Sequence, residues 1–170
     1  MLARNETIFK WTLYAAATAL CFLLQSFVLQ RFTVLGVIPF IYPVLVAVLA
    51  MLEGPFSGTV FAIAVGVACD VLLPGVFPCL YTLIFPLAGL CSALISQSWL
   101  PAGYLCSLAG SAISFLMMGF CQCLLLAVRG KSAWATGLSV CFRELLVSAV
   151  LVIPVTILFR WVFRRTHLDD

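Results

Sequence analysis

Six apolar stretches, each near twenty residues long, divide the chain: 11 to 29, 34 to 52, 56 to 73, 79 to 96, 102 to 128 and 145 to 163. About 20 apolar residues in a helix cross the roughly 30 Å of bilayer hydrocarbon, so the pattern predicts six transmembrane helices. The breaks between them carry turn chemistry: Gln30, Arg31 and Gly36; Glu53, Gly54 and Pro55; Pro74, Gly75 and Pro78; Gln97, Ser98, Trp99 and Pro101; and Arg129, Gly130, Lys131 and Ser132. Glycine reaches positive φ cheaply and proline lacks an amide donor, so both end helices. Connections this short leave no room for an extramembrane domain. The expected architecture is a single all-α domain over residues 1–170, a polytopic bundle of six helices.

One piece, KSAWATGLSVCFRE from 131 to 144, reads in two ways. Trp134, Leu138 and Phe142 recur every four residues beside Lys131, Arg143 and Glu144, which predicts an interfacial helix over 132–144 leading into helix six. In the other reading helix six begins near Leu138 and dips Arg143 and Glu144 into the lipid boundary.

Composition supports the membrane assignment. The hydrophobic class makes up 65% of the 170 residues and charged residues 9%, with a mean hydropathy of +1.23. A water-soluble domain is about half apolar and about a quarter charged. Arg4, Glu6 and Lys10 precede an apolar run longer than a signal-peptide core, with no small-residue cleavage site before Gln30. The first segment is therefore expected to stay in the protein.

The net charge of +3 is spread over the chain ends and two connections, which does not suggest a nucleic-acid partner. Six crossings put both termini on one side, with Arg4, Lys10, Arg160, Arg164 and Arg165. Arg31, Arg129, Lys131 and the nearby Arg143 fall on the other. The positive-inside rule then makes the N- and C-termini cytoplasmic. Trp11, Trp99 and Trp161 belong at that interface and Trp134 at the outer one.

The eight cysteines lie mostly in apolar runs, without a C-x-x-C pair or histidine neighbours, and read as small packing residues. No nucleophile has a base beside it, and neither a phosphate loop nor metal-ligand spacing occurs. His167 lies in a polar tail, where no pocket is expected to form around it. The expectation is a non-enzymatic chain without cofactor or metal.

The residue that asks for an explanation is Asp70. Gly58, Ala62, Gly66 and Asp70 are spaced by four, which makes a shallow ridge along helix three where another helix, in this chain or a partner, can approach closely. Asp70 lies roughly 20 Å along that helix from Phe56, near the outer boundary rather than the midplane, where a charge costs less than at the helix centre. At the C-terminal end of its helix a carboxylate faces the negative pole of the dipole and favours a cationic neighbour. Arg143 is the expected ion-pair partner. Glu53 reads as an ordinary solvated interface residue, and Pro39 and Pro43 as kinks in helix two that shape the bundle. Ala15 with Ala19, and Gly110 with Ser114, are further small-residue pairs.

Between Gly36 and about Ser96 the order Gly-x-x-Pro, an apolar helix ending Glu-Gly-Pro-x-x-Gly, then Gly66-x-x-x-Asp70 and a Pro/Gly turn resembles the rod shape-determining protein MreD family. Gly58, Gly66 and Asp70 are the matched positions. Phe40 stands where family members often carry an acidic residue, and PGVFP replaces a fuller Gly/Phe/Gly turn. The resemblance implies a multi-pass protein of the bacterial cytoplasmic membrane that regulates cell shape within the elongation complex. Its implied partner is MreC, with MreB filaments and the peptidoglycan polymerase and transpeptidase reached through the complex, and membrane lipid around it. It also implies a fold similar to the S components of energy-coupling factor transporters. A vitamin-binding S component is the alternative function, for which Ala15 and Ala19 would meet the transmembrane partner.

Overall fold

The computed structural model describes residues 2–73, 79–98, 103–128, 130 and 134–166, with side chains from Ile8 onward. Within them lie five helices: α1 (Leu2–Phe27), α2 (Tyr42–Leu72), α3 (Leu80–Ser98), α4 (Tyr104–Val128) and α5 (Trp134–Thr166). A 3₁₀ turn, Leu29–Arg31, follows α1. All five helices are long and apolar enough to cross a membrane. The chain is an all-helical, multi-pass membrane protein. The PGVFP turn, Trp99, Pro101, Arg129, Lys131, Ser132 and His167 lie outside the described residues.

The count of six meets five because the expected helices two and three form the single element α2. That element is broken at Gly54, whose φ of 83° and ψ of 179° are non-helical, in a region essentially reserved for glycine. A Cβ placed on Gly58 would lie 2.5 Å from the Ala50 Cα, whereas eight residues of continuous helix would separate the two by about 12 Å. The chain therefore reverses at Gly54, and the arms 42–53 and 55–72 run back along each other. Both arms face α3, since a Cβ on Gly89 would stand 3.2 Å from Ala62 Cβ and 3.6 Å from Ala50 Cβ.

The first arm is the axis of the bundle. Every side chain from Val44 to Met51 is at most 4% exposed, which accounts for its being apolar on all faces. Twelve helical residues reach only about 18 Å, so this arm does not start at a membrane surface. A strap leads into it. Val34 and Val37 exchange two backbone hydrogen bonds (2.9 and 3.1 Å) around Leu35 and Gly36, both at positive φ, and the chain then runs non-helically to Ile41. The expected helix from 34 onward is thus corrected. Pro39 inside a helix would cost about 3 kcal/mol, so it sits in the strap and kinks nothing. Pro43 occupies the first turn of α2, where a missing amide is no loss.

Two further expectations change. No separate interfacial helix occurs at 134–144, because α5 runs unbroken for 33 residues, about 50 Å. Its N-terminal part packs on α4 through small residues: Cys141 Sγ lies against Gly119, and Cys123 Sγ against Gly137. The helices are tied by short polar side chains in the interior. Ser92 donates to the Ala47 carbonyl (3.0 Å) and Cys141 to that of Phe115 (3.2 Å). Outward positions such as Leu20, Val60, Leu83, Leu105 and Ile153 are exposed and apolar, as lipid requires.

Tyr14 stacks on Phe159 at 6.2 Å and Arg160 covers the Tyr104 ring at 5.7 Å. The start of α1, the end of α5 and the start of α4 therefore share one end of the bundle. The Gly54 reversal is there too, with Gln97 Nε2 3.9 Å from its Cβ direction.

Candidate functional site

The polar side chains form two groups, one at each end of the bundle. At the end holding the termini, Glu53 closes the first arm of α2. Its carboxylate pairs with Lys10 Nζ at 2.6 Å and accepts the Tyr14 hydroxyl at 2.7 Å. The Glu53 side chain is 7% exposed, so the expectation of a solvated residue is overturned. Its neighbour Gly54 turns the chain inward, and that places the carboxylate between α1 and the arms. The group ties α1 to the reversal and shows no arrangement for chemistry.

At the opposite end, Asp70 caps a helix. Its Oδ1 accepts the Tyr81 amide at 3.2 Å, and its Oδ2 accepts both the Thr82 amide at 2.9 Å and the Thr82 hydroxyl at 2.6 Å. Tyr81 and Thr82 lie in the first turn of α3, whose amides have no partner within their own helix. Asp70 thus escapes the negative pole of α2 by meeting the positive pole of α3.

Gly66, one turn earlier, makes the approach possible, since a Cβ there would fall 2.8 Å from the Thr82 Cα. Along the ridge, Gly58 admits the first arm, Ala62 meets α3 and Gly66 admits the start of α3. The ridge packs within the chain. Arg143, the expected partner, is exposed, and Asp70 forms no ion pair with it. Sequence spacing identified the ridge and its carboxylate but not the donor, because backbone amides leave no mark in a sequence.

Above the axial arm the strap 34–41 brings non-helical backbone to membrane depth, which is tolerated only where protein or a cavity satisfies it. Gln25, 2% exposed, does so with both ends of its carboxamide. Nε2 donates to the Pro39 carbonyl and Oε1 accepts the Ile41 amide, each at 2.9 Å. Ser148 of α5 accepts the Phe40 amide at 3.0 Å. These two residues were missed as site residues. A glutamine inside the apolar run FLLQSF was their one available signal.

Beside the strap is a cavity of about 350 Å³. Gln25 and Gln30 border it from the α1 side, Phe40 from the strap, Tyr81 from α3, Gln122 from α4 and Glu144 from α5. Phe40 and Tyr81 are aromatic neighbours with centroids 6.0 Å apart. Glu144, read from sequence only as a neighbour of Arg143 at the lipid boundary, is the carboxylate that borders this space. Gln30 is exposed at its rim. Among the described residues no group of three or more His, Cys, Asp or Glu is placed to hold a metal ion. Ile38, Leu73 and Met118 complete the wall, and a cavity of this size with a few polar groups among apolar ones suits binding of a small molecule.

Comparison of the chain with family models, with curated proteins and with solved structures finds no match.

Proposed function

We propose that the chain is a non-catalytic membrane component of the bacterial cell-elongation complex, of the MreD kind. In this reading it binds MreC and helps couple MreB filaments to the peptidoglycan polymerase and transpeptidase, with both termini cytoplasmic. The strap together with the first arm of α2, and the second arm, then count as separate passes, giving six. One observation carries the reading. In the motif Glu53-Gly54-Pro55-x-x-Gly58 and Gly66-x-x-x-Asp70, five residues have a definite task in building the bundle: Glu53 as an anchor, Gly54 as a reversal, Gly58 and Gly66 as close approaches and Asp70 as a helix cap. A motif whose residues hold the fold together suits a protein that works by presenting a surface. The test is co-expression with MreC of the same organism, followed by affinity purification in mild detergent. Stoichiometric recovery of MreC is expected. Full accumulation of the chain in the membrane with no MreC retained would refute the reading.

The cavity favours a second reading, the vitamin-binding S component. It lies at the end away from the termini and carries polar groups among its apolar walls. Co-purification of the energising module of such a transporter in place of MreC is the outcome that selects it.

A further inference from the structure

We propose that the cavity beside the strap is a binding site for a small organic cation, an ammonium or amidinium group. Phe40, Tyr81, Gln30, Gln122 and Glu144 come from five different parts of the chain and converge on one space of about 350 Å³, within the range of small-molecule sites. Glu144 is half-buried there and makes no hydrogen bond or ion pair with the described residues. A half-buried carboxylate that no neighbouring side chain pairs with gains from a cation placed beside it.

The other walls fit the same occupant. Two aromatic rings, Phe40 and Tyr81, line the space, and aromatic rings attract organic cations; the Gln30 and Gln122 carboxamides can accept hydrogen bonds from N–H groups. Among the described residues none that borders the cavity is basic, so an anion would meet Glu144 uncompensated. Gln25 and Ser148 already hold the strap, so the space is fixed in shape before a ligand arrives. The inference stands apart from the assembly role: failure to capture MreC leaves it intact, and the reverse holds too.

The test uses the full chain in phosphatidylglycerol nanodiscs and calorimetric titration with two matched pairs. These are benzamidine against the neutral benzamide, and choline against 3,3-dimethylbutanol. At least one cation is expected to bind saturably and at least tenfold more tightly than its neutral isostere. Glu144→Gln is expected to weaken it at least tenfold, and Gln122→Lys, which tethers an ammonium in the cavity, to abolish it.

Equal binding of cation and isostere, unchanged binding by Glu144→Gln, or no saturable binding of either cation up to about 10 mM overturns the proposal. The isostere comparison needs no variant, so it holds even where a substitution impairs folding. A second arm replaces half the lipid with phosphatidylethanolamine. Weaker apparent probe binding then names the lipid headgroup ammonium as the occupant, and unchanged binding names a water-soluble amine.

Discussion

Replacing Asp70 with alanine removes the acceptor of three hydrogen bonds at once, two from first-turn amides of α3 and one from the Thr82 hydroxyl. Hydrogen bonds between membrane helices average about 0.6 kcal/mol each, and a carboxylate at a helix N-terminus contributes a further 0.3–1 kcal/mol or so through the dipole. Asp70→Ala should therefore cost about 2–3 kcal/mol. Asp70→Asn keeps an acceptor oxygen and loses the charge, so its cost should be about 1 kcal/mol.

The decisive measurement is a pair of double-mutant cycles on unfolding free energy in mixed micelles. Asp70→Asn with Thr82→Val should show coupling of at least about 0.5 kcal/mol, because the two side chains touch. Asp70→Asn with Arg143→Gln should be additive within about 0.3–0.5 kcal/mol. Additivity in the first cycle with coupling in the second would show that Asp70 serves a cation and not the helix end.

Three other perturbations follow from the geometry. Gly54→Ala forces a side chain into a backbone region only glycine occupies and should cost about 1–3 kcal/mol; a loss under about 0.5 kcal/mol in chemical unfolding would contradict the reversal at Gly54. Glu53→Gln removes the carboxylate charge that Lys10 pairs with and should destabilise by about 1–2 kcal/mol, below the value for a fully buried pair because Lys10 keeps some exposure. The double variant with Lys10→Met should lose less than the sum of the two single losses, and additivity in the same assay would contradict the pairing. Gln25→Leu leaves the Pro39 carbonyl and the Ile41 amide without partners and should cost about 2–4 kcal/mol, whereas a loss under about 0.5 kcal/mol would mean that the strap is held otherwise.

Hydropathy located α3 and α4 within two residues at each end, because those helices are apolar throughout and bounded by turn residues. It failed at 34–41. A buried strap and a buried helix are equally apolar, and an all-round buried segment has no period to separate them. Gly36, Pro39 and Pro43 held the information that the helix begins late. The start of α5 was misplaced for a related reason. Arg143 and Glu144 look like interface residues in sequence, yet one turns outward and the other into a cavity assembled from distant segments. The Lys10 to Glu53 pair and the Gln25 bridge were invisible because their partners are 43 and 14 to 16 residues away and involve ordinary residue types.

The strap's dependence on Ser148 sets an order on how the molecule is made. Phe40 leaves the ribosome early, but the hydroxyl that satisfies its amide belongs to the last helix, 108 residues later. Until α5 arrives, the axial arm also lacks part of its cover, and its twelve residues are too few to span lipid alone. The early helices consequently reach their final hydrogen bonding only once the last helix is in place beside them, so the two ends of the chain are completed together.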